Sequence, residues 1–405
     1  MSSSKPEFLR FTGHRGLITR LVLATLTGKP IHISKIRSTS PTAPGLAPHE
    51  ISFLRLLEAI TNGSAIDISY SGTTLAYQPG LITGTPPAAA GDIHEHVLPA
   101  ANTRGVSYFL LPLALLAPFS KAPLNIRLGG PGAITAATAR DMSADAVRAA
   151  VLPLYAHFGI PTPQRCELRI LTRSCAPRRG VLAAGAVELR HAAQVRLPRP
   201  LHALHRRPGR VRRVRGVAYC TGTSASGNAR MTAAARAVLR GLAPDVHVAA
   251  QYDPAPLVPR TADGESVGRK RAAVGFGISL VAESSAEGVL YAADAAAPPE
   301  GGTTPEEVGT RCALQLLETM AQGGCVTAAA APTVLALMAM GGEDLGRVRL
   351  GRDVLGREET VMLARDLKQF GAASWGIREV EDDDSGDFVV TVKGIGVGNV
   401  GRKVA

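Results

Sequence analysis

Apolar residues along this chain fall at helical spacing, stop at a glycine and then alternate, and they do so more than once. Leu54, Leu56, Leu57 and Ile60 share one helical face, and Gly63 follows them. That spacing predicts an amphipathic helix, and glycine tolerates the left-handed residue that ends one. Ala65 to Gly72 then alternates and predicts a strand with a turn. The same pattern returns at Leu314-Gln315-Leu316-Leu317-Glu318, with Met320 answering Ile60 and Gly323 answering Gly63. A looser copy runs from Val147 to Phe158, stops at Gly159, and continues into alternation from Cys166 to Leu171. Helix followed by strand, recurring along the chain, predicts an α/β body of duplicated units. L-x-L-L-E is a common helix fragment, so the pair alone could be chance. The glycine stop recurs in all three copies and the strand in two, which favours duplication.

The middle of the chain reads differently. Leu189 to Pro244 holds twelve arginines and no Asp or Glu. Val211 to Cys220 and Val246 to Tyr252 read as strands, Met231 to Leu242 as a helix, and Asp253 to Gly268 as a polar linker. This predicts a small inserted domain over about 187–270. Strand-turn-strand patterning resumes over Val274 to Ala297, and Phe388 to Val392 reads as a strand after the acidic turn Glu379 to Asp384. The most apolar run, Val106 to Ala117, is broken by Ser107 and Pro112. It is short of the roughly 20 residues that span a bilayer, so no membrane partner is expected.

Composition narrows the function classes. With 405 residues, two or three domains and a full hydrophobic core are expected. Hydrophobic residues at 45% exclude global disorder. The net charge of +12 points to a polyanionic partner, while 4% aromatic residues argue against a base-stacking platform. Cys166, Cys175, Cys220, Cys312 and Cys325 form no C-x-x-C pair, which reads as reduced thiols in a cytosolic or nuclear protein. Met1 to Arg10 lacks the apolar stretch of a signal peptide.

Several motifs bear on chemistry. Gly396, Gly398 and Gly401 satisfy G-x-G-x-x-G after a strand, but the helix that would face a pyrophosphate has no room before Ala405. No nucleotide site is expected there; a packed strand or a partner contact is. His94 and His96 alternate, and a surface pair is favoured over a metal pair; no metal set is predicted. After His247 there is no histidine. The densest basic stretch holds Arg206, Arg207, Arg210, Arg212, Arg213 and Arg215 with no carboxylate near in sequence. It is either a solvated loop or a phosphate-contacting surface, and the lack of acids favours the second.

Landmarks in a recognisable order carry a family resemblance. They are Leu21 to Pro30 (ending Thr27-Gly28-Lys29-Pro30), Ile36-Arg37, and Pro44-Gly45-Leu46-Ala47-Pro48-His49, ahead of the helix through Leu54. Arg178-Arg179-Gly180, Arg215 to Cys220, Ser279 to Glu283 and Pro305 to Gly309 follow. From about residue 9 onward the chain resembles the RNA 3'-terminal phosphate cyclase superfamily. The resemblance implies an α/β (α+β) fold of repeated helix/strand units with a smaller inserted α/β domain. The expected division is 1–186, 187–270 and 271–405.

Departures from the family pattern decide the expected activity. Cyclases carry Glu-Gly-Gly-Gly-Gln-Ile-Leu-Arg where this chain has Phe11-Thr12-Gly13-His14-Arg15-Gly16-Leu17-Ile18. Their His-Leu-Ala-Asp-Gln segment is replaced here after Cys325-Val326 by Thr327-Ala328-Ala329, and the C-terminal histidine that is adenylylated is missing. A covalent intermediate needs its nucleophile. Leu345 to Arg352, Ala364 to Lys368 and Gly398 to Lys403 resemble the cyclase-like, ribosome-assembly branch. That branch implies a nuclear, nucleolar factor of the small-subunit processome, acting in early pre-rRNA processing towards small-subunit rRNA. Implied partners are a large ribosome-assembly GTPase, other processome proteins, pre-rRNA and a guide small nucleolar RNP; no cofactor and no catalytic residue are expected. A rival class is a pre-rRNA endonuclease, for which Asp366 between Arg365 and Lys368 could be proposed, although an ion-paired helix face is favoured. A third reading is a vestigial cleft at Gly13, His14 and Arg15 that holds a phosphate as a structural anion.

Overall fold

The structure is a computed structural model and describes residues 7–85, 92–177, 182–243, 245–262, 265–381 and 385–399. The first unit contains β1 (Leu9–Thr12), α1 (Leu17–Thr27), β2 (Ile31–Ser34), α2 (Pro48–Ile60), β3 (Thr61–Asn62), β4 (Ala65–Ile68), β5 (Leu75–Gln78) and β6 (Leu81–Ile82). Its main sheet has the order β1-β2-β5-β4, with β1 and β2 parallel and the other neighbours antiparallel. The second contains β7 (His94–Val97), α3 (Ser107–Leu116), β8 (Leu124–Gly129), α4 (Ala144–Ala146), β9 (Cys166–Thr172) and β10 (Ala186–His191). Its sheet, β7-β8-β10-β9, repeats that order and those directions.

The middle provides β11 (Val211–Thr221), α5 (Ser226–Leu239), β12 (Asp245–Asp253), the hairpin β13 (Leu257–Ala262) and β14 (Glu265–Arg271), β15 (Gly275–Ser284), β16 (Leu290–Ala296) and α6 (Pro305–Ala321). The last part contains α7 (Ala331–Met340), β17 (Leu345–Leu350), α8 (Arg352–Leu355), α9 (Glu358–Gln369), β18 (Trp375–Glu379) and β19 (Phe388–Lys393). Its sheet, β17-β19-β18, matches the second, fourth and third strands of the earlier sheets.

Alternation explains which strand faces are inside. Ile31 and Ile33 on β2, Leu75 and Tyr77 on β5, and Leu124, Ile126 and Leu128 on β8 are fully buried, and their neighbours are not. Helices α1, α3 and α7 pack in series between these sheets, and α9 packs on both α1 and α7. All of α7 except Pro332 is buried. Apolar residues on every side make it a central helix, not a surface one. Among the described residues, no helix is long and apolar enough to cross a membrane.

Two expectations need correction. The looser repeat copy is the topologically equivalent one: Val147–Phe158, like α2, joins the second strand of its unit to the third. It is built as a π-helical turn and a 3-10 helix, because Pro153 cannot donate the hydrogen bond a regular helix needs there. The closer match, α6, instead packs on α5, β15 and β16, and the true counterpart of α2 in the last unit is α9. Leu54 is 2% exposed and Leu314 is 54% exposed, so the shared motif reports helical amphipathicity and not position. The glycine stops themselves are left-handed in all three places, with φ of 85° at Gly63, 83° at Gly159 and 75° at Gly323.

Strand pairing also crosses the expected boundary at 270. The sheet order is β12-β11-β15-β16, so strands from within 187–270 are completed by strands beyond it. At the other end, β10 pairs with β8 and β9 of the body. The polar stretch after β12 forms the hairpin β13–β14. A charge break marks composition, whereas the sheet follows the apolar faces of β11 and β15.

Candidate anion-binding site

The N-terminal loop sits between β1 and α1. Gly13 donates its N–H to the Ser34 carbonyl at 2.8 Å, and the Leu17 N–H reaches the His14 carbonyl at 3.2 Å. His14 lies in the field of Arg37 and Glu50; burial and the Arg37 charge lower its pKa, so its ring is neutral at pH 7. Arg15 does not turn into this cleft. It pairs with Glu358 of α9, and both side chains are mostly exposed, so the pair adds little stability. Gly13 and His14 are thus together, and Arg15 is diverted.

Beside His14 the fold gathers residues that sequence reasoning did not single out as a site. Arg37, with φ 43°, donates to Glu50 twice, at 2.7 Å each, and to the Gly45 carbonyl at 2.9 Å. Glu50 also accepts the Ala47 N–H at 2.7 Å, closing the first turn of α2. Arg104 forks onto Asp141 at 2.8 and 2.6 Å, and Asp141 takes the Gly105 N–H at 2.9 Å. The Arg104 guanidinium lies 4.2 Å from the centre of the Tyr108 ring, and His49 meets that ring edge-on at 5.1 Å. Burial lowers the His49 pKa; Glu50 opposes this, and Arg104 and Arg37 add to it. Burial, with Glu50 next, raises Tyr108. Both carboxylates are held by guanidinium forks, so neither is left as a base. The quoted landmarks Ile36-Arg37 and Pro44 to His49 were the sequence-level pointers to this cluster, and neither names the partners.

Other candidates resolve into structural roles. Asp366 is buried and accepts from Arg20 Nε at 2.8 Å; burial raises its pKa, and Arg20 opposes that. Phe11 lies under the same guanidinium, 4.5 Å from its ring centre. His96 bonds to Ser52 of α2 at 2.8 Å, and burial pushes its pKa down to about 4. Among the described residues no three His, Cys, Asp or Glu side chains are grouped to hold a metal. The glycine-rich tail packs as neither strand nor helix start: Ile395, Gly396 and Val397 donate N–H groups to the Ala339, Gly341 and Met340 carbonyls at the end of α7. Asn399 then exchanges two 2.9 Å bonds with the backbone of Ile82. Arg178 to Gly180, Asp382 to Asp384, and Gly401 to Lys403 lie outside the described residues.

The arginine run is divided by the fold. Gly209, with φ 73°, makes the turn after Pro208, and a side chain there would meet Ser285 Oγ at 2.4 Å. Before that turn, exposed Arg206 and Arg207 line a groove against the β17-β19-β18 sheet. After it, Arg210 and Arg212 are exposed. Arg213 pairs with Glu283 at 2.6 Å, and Arg215 contacts the same carboxylate. No carboxylate is near these arginines in sequence, yet the fold supplies one to Arg213 and Arg215. Glu283 lies 68 residues beyond Arg215 in sequence, and β15 brings it alongside by antiparallel pairing. The two guanidiniums hold Glu283 below the usual carboxylate range against the effect of burial.

The comparisons with known proteins agree with this architecture. The RNA 3'-terminal phosphate cyclase family model matches residues 9–375. The rRNA processing protein RCL1 of Saccharomyces cerevisiae is 36% identical over 408 residues, covering 100% of both chains. An RNA 3'-terminal phosphate cyclase-like protein of Homo sapiens is 36% identical, with 99% of each chain covered, and the Arabidopsis thaliana protein described as a probable one is 32% identical over 98% of this chain and 99% of its own. With two sheets of one strand order, a third that keeps three of those strands, and a match across nearly the whole length, the chain belongs to the RNA 3'-terminal phosphate cyclase family, among its cyclase-like members.

Proposed function

We propose that this protein is a non-catalytic rRNA-processing factor of the small-subunit processome, acting in the nucleolus on early pre-rRNA cleavages towards small-subunit rRNA. The observation that carries this is full-length similarity to a protein named for rRNA processing. The residues support a scaffold over an enzyme. No histidine follows His247, and the Glu, Gln and Arg of the cyclase loop are absent around Gly13. Asp366, the residue the endonuclease reading would use, is buried against Arg20 and out of reach of RNA. In this reading a large ribosome-assembly GTPase, processome proteins and a guide small nucleolar RNP are partners, and exposed arginines of the run contact pre-rRNA.

Two measurements test it. Purified protein incubated with labelled ATP, Mg²⁺ and RNA bearing a 3'-phosphate should gain no covalent label and give no cyclic end; either product overturns the non-catalytic reading. Expressed in yeast depleted of the relative, the chain should restore small-subunit rRNA precursors to their normal pattern on a northern blot. Accumulation of uncut precursor despite nucleolar protein would count against the processing role.

A further inference from the structure

Between β2 and α2 the chain makes a ten-residue loop, Ile36 to Gly45, whose two ends meet. The Gly45 N–H reaches the Ile36 carbonyl at 3.1 Å, and Arg37 donates to the Gly45 carbonyl at 2.9 Å. Ile36 is fully buried, and its N–H bonds the Thr73 carbonyl at 2.9 Å. Gly45 has φ 78°, and a Cβ there would lie 2.4 Å from the Ser71 carbonyl oxygen, so the neck of the loop needs glycine. Beyond the neck the chain is held lightly. The Ser40 N–H bonds the Arg37 carbonyl at 3.0 Å, and the Ala43 N–H bonds Ser40 Oγ at 3.2 Å. Ser38, Thr39 and Pro41 to Pro44 are exposed. A closed neck with an exposed crown is an Ω-loop, a form that presents its crown without disturbing the body.

The crown carries Ser40-Pro41, one of four Ser-Pro or Thr-Pro steps in the sequence. The fold puts the other three to use or holds them down. Thr85 Oγ1 donates to the Asn125 carbonyl at 3.1 Å and accepts the Asn125 N–H at 2.7 Å. Thr304 Oγ1 accepts the Glu307 N–H at 3.3 Å and donates to the Glu307 carboxylate at 3.0 Å, at the start of α6. Thr162 lies in the turn that the Arg165 N–H closes on the Pro161 carbonyl at 2.9 Å, too short to lift away from the surface. Among the described residues, Ser40 Oγ bonds only the Ala43 N–H of its own loop, as an acceptor, so its hydroxyl proton is free. Pro41 biases Ser40 towards extended backbone, the form in which a substrate lies along a kinase groove.

We propose that Ser40 is a phosphorylation site for a proline-directed protein kinase, and that the phosphate orders the loop through Arg37. The Ser40 hydroxyl oxygen attacks the γ-phosphorus of ATP, and the bond from that phosphorus to the bridging oxygen breaks. ADP leaves, and the hydroxyl proton passes to the catalytic carboxylate of the kinase. The product carries a charge of about −2 at pH 7. Arg37 is the one charged residue between Ile36 and Gly45, and its guanidinium holds the neck through Gly45 and Glu50. The turn from Arg37 to Ser40 folds the phosphate back towards that guanidinium. Charge-assisted bonds between them tie the crown to the neck. The site is independent of the role in rRNA processing.

The test incubates the full chain with a cyclin-dependent kinase, ATP and Mg²⁺, and reads intact mass and tandem mass spectra. One phosphoryl group per chain is expected, on Ser40. Ser40→Ala should reduce it to the level of the kinase-free sample, and Thr162→Ala should leave it unchanged. A synthetic peptide of residues 33–47 shows what the same kinase does with this sequence when the fold is absent. A modified peptide beside an unmodified chain means that the fold withholds the serine, and overturns the site. Phosphate on another residue in place of Ser40, or rejection of both chain and peptide, overturns it as well. Amide hydrogen exchange at Ser38, Thr39, Thr42 and Ala43 then tests the ordering. It should slow on phosphorylation of the wild type, and less so in Arg37→Lys, which keeps the charge and loses the fork. Unchanged exchange in the phosphorylated wild type overturns the part assigned to Arg37.

Discussion

Buried histidine and buried ion pairs set the chemistry of this molecule at the residue scale. His191 is 1% exposed, donates Nδ1–H to the Ala192 carbonyl at 2.7 Å, and leaves Nε2 without a partner. Burial pushes its pKa down to about 4 from 6.5. Unfolded chains then bind a proton that the native state refuses, so stability is full above pH 6.5 and falls as pH drops towards 4. The full difference is about 3 kcal/mol for this one site. The urea midpoint should therefore decline between pH 7 and pH 5, and His191→Leu should flatten that decline. An equally steep decline in the variant would remove His191 as the cause. Arg349 with Asp387, and Arg173 with Asp145, are buried pairs of another kind, each joining segments far apart in sequence. They report specific assembly more than net stability, since desolvation offsets much of their attraction.

Element ends show how local sequence was read and where it was overruled. Helix α6 begins with Thr304, whose Oγ1 accepts the Glu307 N–H at 3.3 Å while Glu307 accepts the Thr304 N–H at 2.7 Å. Pro305 follows at the first helical position, where its missing N–H costs nothing. Thr304→Ala should lower stability by about 1 kcal/mol, read as a shift in the denaturant midpoint with an unchanged slope. No shift would mean that the Glu307 side chain caps the end alone. Strand β11 shows the opposite case. Its arginines look like one basic stripe, yet Glu283 neutralises Arg213 and Arg215 after β15 pairs with it.

The whole molecule is a frame repeated three times, with the middle sheet built between the second and third units. The departures from the cyclase pattern lie in several distant places at once. The loop at Gly13 is remodelled, Arg15 is engaged by Glu358, and the last third lacks histidine. Introducing one histidine, for example Ala329→His, should restore no cyclisation of a 3'-phosphate end. Measurable cyclic product from that single change would show that the remaining site is still competent.

Periodicity by itself determined most helices and strands, because burial of one face imposes a spacing that survives in any sequence order. Ala65–Ile68, Cys166–Thr172 and Phe388–Lys393 stand where alternation placed them. The landmarks from Leu21 to Gly309, taken in their order, pointed to the family, since they are local motifs. Three things needed the tertiary structure. The pairing of β11 with β15 decided which arginines are neutralised, because a carboxylate distant in sequence is adjacent across a sheet. The cluster of Arg37, His49, Glu50, Arg104 and Asp141 joins residues from two units that no spacing rule connects. The groove beside Arg206 and Arg207 forms where the Leu201 carbonyl and the Cys325 thiol hold that loop against residues distant in sequence. Spacing encodes what neighbours along a chain must do, and charge placement depends on which distant backbones the apolar faces bring together.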